Sequence, residues 1–508
     1  MATYYVAKTG SDSNTGAINS NWLTIQHALD YASLTSGDKI YVYPGSYPEQ
    51  VTVNDAGITL QKWPGKYGRV VVDGIGRSIA ADDPYSVVSN PPQIYIKQSN
   101  VTIKGFDCIN SPGYGIMDLR NETSDTNLCT GTTLINCRAF DNYLSGIALN
   151  GYQCVATDCE SAYNFDFGVY APHSRGVACT FSDSGGELLI TKSDHGYSLT
   201  GDNNIPSKVI FTNSGGNIPA TLSLLKSYYF ISGDTDTFKI SETQGGSAIA
   251  YDGTASGTTH VQDCRGAGTD ADGFSIDCIS STLTRCYSHH NADDGFDAYY
   301  GSSNTLINCK SSYNGFRGGA RTRSHATYAN IHFSGDGNGF KMGRGGKTTP
   351  TLSNARWDAQ HMVKNCAAWG NVLANFTNNE GGNNTWINCT SSDAKGLRID
   401  GTTNGTPQSR AFWNFDKYGG SGYDNNDWKN CLSVDGITHP AGGDAVPPGP
   451  TSTPTTNYWQ IVDKNLVPST NFVSVYPNNP SFLKPSATLI ALAGATDLGY
   501  GTTLGWVG

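Results

Sequence analysis

Apolar and polar positions along this chain recur with a period of about 22 or 23 residues. Each repeat has a cysteine, an asparagine five positions later, and then a glycine followed by an apolar residue. One such period separates the members of three cysteine pairs: Cys137 and Cys159, Cys286 and Cys309, Cys366 and Cys389. This period is too short for two packed helices and fits one coil of three short strands. We therefore predict an all-β, right-handed parallel β-helix; a β-propeller would need a blade signature and a period of about 40 residues.

Equivalent positions of neighbouring coils stack roughly 4.8 Å apart in such a fold, which is the spacing of hydrogen-bonded strands. The recurring cysteines and phenylalanines then form interior ladders. The 13 cysteines contain no CxxC pattern, so we predict core residues rather than zinc ligands or disulfide partners. The recurring asparagines are predicted to occupy tight turns that need a left-handed backbone and a hydrogen-bonding side chain.

The repeat pattern divides the chain into four parts. Within the first part, residues 22–32 (WLTIQHALDYA) space their apolar positions helically and predict a capping helix, and residues 37–45 predict the first strand and turn. The second part, residues 181–262, lacks the recurring cysteines and asparagines. We predict that it forms a small β-domain inserted into a turn. The parts are residues 1–180 for the cap and first coils, 181–262 for the insertion, 263–439 for the catalytic coils, and 440–508 for a tail along the β-helix.

A phenylalanine follows a glycine in several coils, and the residue after the phenylalanine is a candidate functional residue. Because phenylalanine points inward, its C-terminal neighbour points outward. If residues 315–335 and 344–359 are loops, the outward residues of successive coils form one column: Ser275, Asp297, Lys341 and Thr377. In an alternative register Gly315-Phe316-Arg317 forms another coil, and Lys341 lies two coils from Asp297. We favour the first register because no second cysteine-to-asparagine spacing follows Asn314.

Four aspartates near this column predict a calcium site: Asp272, Asp293, Asp294 and Asp297. Calcium takes about six to eight oxygen ligands in a flexible geometry, and adjacent carboxylates without a cation repel one another. A cation beside a base can assist removal of a proton next to a carboxylate. We predict Lys341 as that base. The alternative interpretation is that the aspartates form a solvated turn and that Lys341 is an ordinary surface residue. His289 and His290 precede the acidic turn, but imidazole is a poor calcium ligand, so we assign neither to the metal site nor to catalysis.

A basic group flanks Lys341 in the two predicted loops. Bidentate binding of uronate carboxylates is a suitable role for such side chains, although a solvated loop has the same composition. The predicted substrate-binding residues are Arg317, Arg321, Arg323, Arg344 and Lys347.

The net charge of −10 argues against a nucleic-acid partner. The chain contains no apolar stretch of about 18 residues, so we predict no membrane span. An acidic substrate must then be held by a local basic patch or by bound metal. The N-terminus shows no basic segment and no apolar signal core. We nevertheless expect an extracellular protein, either secreted with its leader removed or virion-associated and released by host lysis. The sequence indicates no particular oligomeric state.

Three stretches resemble, in order, the signature stretches of the family 9 polysaccharide lyases. They are residues 271–274 (ADGF), 290–297 (HNADDGFD) and 335–341 (GDGNGFK). The resemblance implies a right-handed parallel β-helix and β-elimination of 4-linked galacturonan, with calcium bound by the four aspartates and Lys341 as base. The insertion and the arginine-rich loop depart from the family pattern. The insertion and the missing leader are also similar to phage tail-associated proteins, which would indicate a bacterial surface uronate polymer.

Two other functions compete with a calcium-dependent lyase acting on pectate or a related uronate polysaccharide. A β-helix glycoside hydrolase would use two of the aspartates as acid and base about 5–10 Å apart. A tail-fibre or adhesin module would bind glycan, with calcium only bracing a turn. Unsaturated products separate the lyase from both.

Overall fold

The structure is a computed structural model of the 508-residue chain. The residues it describes are 1–75, 77, 91–119, 128–164, 177–193, 195, 197, 199, 208–214, 216–223, 228–243, 245–253, 255–263, 271–315, 337–343, 359–379, 381–392, 410–413, 426–429, 431–435 and 459–462. Among these residues, no helix has the length and apolar character required to cross a bilayer.

Three parallel sheets run along the molecule, and a complete coil adds one strand to each, which confirms the predicted right-handed parallel β-helix. Sheet 1 contains Thr3–Val6, Lys39–Val42, Thr59–Lys62, Thr102–Lys104, Thr133–Ile135, Val155–Thr157, Thr282–Thr284, Thr305–Ile307, Met362–Lys364, Thr385–Ile387 and Asp427–Lys429. Sheet 2 contains Val51–Val53, Ile94–Ile96, Ile116–Asp118, Ile147–Leu149, Phe274–Ile276, Phe296–Asp297, Phe340–Lys341, Ala374–Thr377 and Arg410–Trp413. Sheet 3 contains Gly45–Tyr47, Val70–Asp73, Phe106–Ile109, Arg138–Phe140, Glu160–Ala162, Tyr287–His289, Lys310–Ser312, Ala367–Trp369, Thr390–Ser392, Leu432–Asp435 and Trp459–Val462.

Interior side chains stack in ladders as predicted. Four phenylalanine rings of sheet 2 lie nearly parallel, with centroids 4.8 to 4.9 Å apart: Phe274, Phe296, Phe340 and Phe376. The cysteines in the described part of the chain are buried and free. Cys309 Sγ, for example, donates to the carbonyl of Leu283 one coil below at 3.5 Å. These cysteines are therefore core residues, and free buried cysteine behaves as a small hydrophobic residue with a weak S–H donor.

A ladder of buried asparagines fixes the turn between sheets 3 and 2. Each side-chain amide donates to the amide oxygen of the next coil at 2.7 to 3.0 Å, in the order Asn142, Asn164, Asn291, Asn314 and Asn371. The predicted left-handed backbone at these asparagines is wrong, because the positive φ falls one residue earlier, at 56° for His290 and 55° for Tyr313. An amide has both a donor and an acceptor, so identical amides can bond along the whole stack.

The N-terminal cap is shorter than predicted. The helix spans Ile25–Leu29, and the Thr24 side chain caps it by accepting a hydrogen bond from the His27 backbone N–H at 3.3 Å. The helix buries Ile25, Ala28 and Leu29. The first strand is Thr3–Val6, which pairs with Lys39–Val42, so the prediction that residues 37–45 hold the first strand is wrong.

The C-terminal tail adds one rung to the β-helix in its described part. Trp459–Val462 pairs in parallel with Leu432–Asp435 at the end of sheet 3. The other residues of 440–508 lie outside the described residues, and their packing along the β-helix stays a prediction.

The segment that interrupts the repeat forms a closed six-stranded barrel with a separate apolar core. Its strands are Val177–Ser184, Glu187–Thr191, Lys208–Ser214, Tyr228–Gly233, Thr237–Ser241 and Thr258–Asp263. The asparagine ladder continues across the insertion, because Asn164 Nδ2 donates to Asn291 Oδ1 at 2.7 Å although 127 residues separate them. The insertion therefore leaves the stacking of the coils intact.

The ladder predicts the effect of an Asn314→Ala substitution. Loss of the amide leaves the buried Asn291 backbone N–H without its acceptor and removes one hydrogen bond each from Asn291 Nδ2 and Asn371 Oδ1. An unpaired buried group costs about 1–3 kcal/mol. We expect the free energy of unfolding, measured by urea titration, to fall by roughly 2 kcal/mol or more. The exposed Asn54 supplies the control substitution Asn54→Ala, and equal losses in both variants would contradict a structural role for the ladder.

Candidate active site

The predicted outward column exists in sheet 2. Asp297 pairs with Ser275 on one side and with Lys341 on the other, and Lys341 pairs with Thr377. The strand Phe296–Asp297 thus lies directly beside Phe340–Lys341, which confirms the favoured register and excludes a further coil between them. Because alternate strand residues share a face, the Asp297 and Lys341 side chains lie on the same side of the sheet.

The turn before this column stacks polar side chains in the same way. Asp272, Asp294 and Asn338 each precede a glycine and a phenylalanine in successive coils. Asp272 Oδ1 accepts from the Asp294 backbone N–H at 3.2 Å. Asp294 Oδ1 accepts from the backbone and side-chain nitrogens of Asn338 at 2.6 and 2.9 Å. A Cβ at Gly295 would collide with Ser311 Oγ, so glycine lets the turn pack this closely.

Three aspartates of two neighbouring coils form one acidic group. Carboxylate oxygens of Asp272, Asp294 and Asp297 lie within 4.8 Å of one another. Asp297 Oδ1 is buried and accepts no hydrogen bond within the described part of the chain. An oxygen-only donor set with such an oxygen fits a hard cation. Asp293, the fourth predicted ligand, is also buried but does not belong to this group.

Lys341 lies against the acidic group. Its side chain is 10% exposed, and Nζ is 2.9 Å from Asp294 Oδ2 and 3.2 Å from Asp297 Oδ2. Nζ also lies 5.8 Å from the centroid of the Tyr299 ring. With all three carboxylates ionised, the ammonium offsets one charge and leaves a formal charge of −2. A buried excess of negative charge is unfavourable unless a cation or protons compensate it.

The pKa of Asp297 is raised from its ordinary value to about 8. Burial is the largest cause, the neighbouring charges of Asp294 and Asp277 act in the same direction, and Lys341 opposes them. Asp277 and Tyr299 are not among the predicted site residues. Each lies two residues beyond a member of the outward column, so strand alternation was the available signal.

The other polar residues considered in the sequence lie apart from the acidic group or cannot be placed. His289 Nε2 is 3.0 Å from Glu160 Oε1, and His289 Nδ1 is 2.9 Å from His290 Nδ1. These contacts connect the two histidines to sheet 3 rather than to the acidic group. The predicted substrate-binding residues lie outside the described residues: Arg317, Arg321, Arg323, Arg344 and Lys347.

Comparison with known proteins identifies the class to which this fold belongs. A family model described as Pel9A-like, right-handed β-helix region matches residues 237–404. The solved structure of pectate lyase Pel9A is similar at a TM-score of 0.55 and 17% identity, covering 100% of this chain and 96% of that one. A rhamnogalacturonan lyase structure is similar at a TM-score of 0.54 and 17% identity, covering 97% and 98%. No curated protein matches by sequence. The chain has a polysaccharide lyase family 9-like β-helix.

The raised pKa of Asp297 predicts how stability depends on pH when divalent cations are chelated. Between pH values near 4 and near 8, the folded protein holds a proton on Asp297 that the unfolded chain has released, so this group stabilises less as pH rises. We expect the free energy of unfolding of the wild type, followed in EDTA, to fall more steeply across this window than that of Asp297→Asn. Equal slopes would contradict the raised pKa.

Proposed function

We propose that this protein is a calcium-dependent polysaccharide lyase that cleaves a 4-linked uronate polysaccharide, with pectate the first candidate, by β-elimination. The observation that carries the proposal is the position of Lys341. Its Nζ lies within 3.2 Å of two carboxylates of the acidic group, on the outward face of sheet 2. A base and a cation site on one face are what removal of a proton beside a carboxylate requires.

In this proposal the acidic group holds calcium through Asp272, Asp294 and Asp297, and Asp293 of the same turn remains a candidate fourth ligand. Calcium, when bound, supplies positive charge that compensates the substrate carboxylate as negative charge develops beside it. The three grouped carboxylates supply fewer oxygens than the six to eight or so that calcium takes. Substrate oxygens can therefore complete the set, which would orient the uronate toward Lys341.

Lys341 accepts the proton from C5 of the uronate. The C5–H electron pair then forms the C4–C5 double bond as the bond from C4 to the glycosidic oxygen breaks. That oxygen keeps the bonding pair and takes a proton from water, and an unsaturated uronate remains at the new chain end. Lys341 must be neutral for this step, and its two carboxylate contacts favour the ammonium. Calcium held by the acidic group would disfavour a second positive charge nearby, and so would favour the neutral, basic form of Lys341.

The substrate is an anionic polysaccharide in this proposal, bound outside the cell. The names of the two similar structures, a pectate lyase and a rhamnogalacturonan lyase, support this class. We propose that carboxylates of the polymer also bind the basic residues flanking Lys341 in the sequence: Arg317, Arg321, Arg323, Arg344 and Lys347. A uronate polymer of a bacterial surface is the second substrate to examine.

A glycoside hydrolase is the second candidate function. It is favoured by one observation, the raised pKa of Asp297 beside other carboxylates, because acid-catalysed glycoside cleavage uses one protonated and one ionised carboxyl group.

The test is a panel of uronate polysaccharides incubated with calcium or with chelator, with products followed by the absorbance of the unsaturated uronate. A lyase gives absorbance that chelator abolishes. New reducing ends without that absorbance would establish hydrolysis instead, and no cleavage of any polymer would contradict both enzyme proposals.

Replacement of Lys341 by alanine tests its role as base. We expect kcat to fall by roughly 10²–10⁴-fold, the usual contribution of a positioned acid or base, with the fold retained. Lys364 is exposed on a strand of sheet 1, so Lys364→Ala is the matched control and should keep full activity. A fully active Lys341→Ala variant would eliminate Lys341 as the base.

Calcium binding by the acidic group predicts a change in thermal stability. A ligand that binds only the folded state stabilises it, so calcium should raise Tm of the wild type. Asp297→Asn should remove most of this increase. Asp158 is 48% exposed and pairs with Arg285, so Asp158→Asn should leave the increase unchanged; an equal loss in both variants would place calcium elsewhere.

A further inference from the structure

We propose that the Tyr300 ring binds the sugar next to the uronate that loses its proton, by stacking against the C–H face of that sugar. This inference rests on the proposed function. It assigns a specificity residue on the sheet 1 side of the acidic group.

The geometry connects Tyr300 to the base through one neighbour. The Tyr299 and Tyr300 rings are 4.6 Å apart at 84°, an edge-to-face contact, and Lys341 Nζ lies 5.8 Å from the centroid of the Tyr299 ring. Because both contacts share the Tyr299 ring, a single aromatic ring connects Tyr300 to the nitrogen of the base. A sugar next to the uronate that reacts at Lys341 would therefore lie within reach of the Tyr300 ring.

The backbone at Tyr300 is held in place from below. Its N–H donates to Asp277 Oδ1 at 3.1 Å, and Asp277 is only 7% exposed. Asp277 belongs to the coil below, one residue beyond Phe274–Ile276. A buried carboxylate and an edge-to-face partner fix the ring before substrate arrives, so little conformational entropy is lost on binding.

The Tyr300 ring is open to solvent beside the site. Tyr300 is 45% exposed, and it follows by three residues the strand position of Asp297. Tyr299 is partly buried and its ring faces Lys341. An exposed aromatic side chain at the edge of a polar site is a common feature of binding surfaces, because its face takes apolar groups while its hydroxyl stays in water.

A sugar ring is the ligand that fits this position. A contact with the ring face does not depend on the charge of the polymer, so it adds to the binding that calcium and the basic residues supply in the proposed function. The faces of a pyranose carry C–H groups, which pack on an aromatic face, while its hydroxyls remain in solvent. Such a contact adds binding equally in the ground state and the transition state, so its loss raises KM and leaves kcat nearly unchanged.

The experiment compares Tyr300→Ala, Tyr300→Leu and Tyr300→Phe with the wild type on the best polysaccharide of the panel, with calcium present. We expect KM to rise roughly tenfold in the alanine and leucine variants, with kcat within about twofold of the wild type. The phenylalanine variant should keep the wild-type KM, because it retains the aromatic face. Tyr67 is fully exposed in the first coils, so Tyr67→Ala is the matched control and should change neither constant.

Each other outcome rejects part of the proposal. An unchanged KM in Tyr300→Ala, or a leucine variant equal to the wild type, overturns the stacking role while the lyase function stands. A phenylalanine variant as weak as alanine also overturns it, because the hydroxyl and not the ring face would then be the binding group. A wild type that forms unsaturated products from no polysaccharide overturns the proposed function, and this inference with it.

Discussion

In-register stacking of parallel coils is the constraint on which the rest of the structure depends. Backbone hydrogen bonds set the distance between equivalent positions, and the phenylalanine rings at 4.8 to 4.9 Å follow that spacing. Residues distant in the chain, such as Asp297 and Lys341, become direct neighbours. The interior tolerates this repetition because phenylalanine, cysteine and asparagine can each contact an identical side chain above and below.

The same stacking creates the electrostatic problem of the site. A ladder of identical carboxylates would place like charges one strand spacing apart, at strong repulsion in a buried environment. The chain limits the repetition, since Ser145 and Asn338 occupy the positions below and above the aspartates of the turn, and Lys341 replaces an acid in the outward column. Negative charge remains in excess, and it adds to burial, the larger cause, in raising the pKa of Asp297. The proposed calcium would compensate that excess where substrate binds.

The inserted barrel shows how much freedom this architecture allows. The asparagine ladder runs from Asn164 directly to Asn291 across the inserted barrel, so a separate folding unit is accommodated without change to the ladder. Only the positions that face one another across the rungs are constrained. A similar fold can therefore persist at 17% identity to a pectate lyase and a rhamnogalacturonan lyase, with the chemistry confined to a few rungs.

The sequence by itself determined the period, the interior ladders and the outward column, because a coil length fixes which residues stack along the axis. It placed Asp297 beside Lys341 before any contact was known. Tertiary structure alone decided the lateral contacts: Asp293 lies outside the acidic group, while Asp277 and Tyr299 lie close to it. Periodicity states which positions are neighbours between coils, but side-chain rotamers and turn geometry decide which atoms meet. For the same reason the left-handed turn residue proved to be the one before each ladder asparagine.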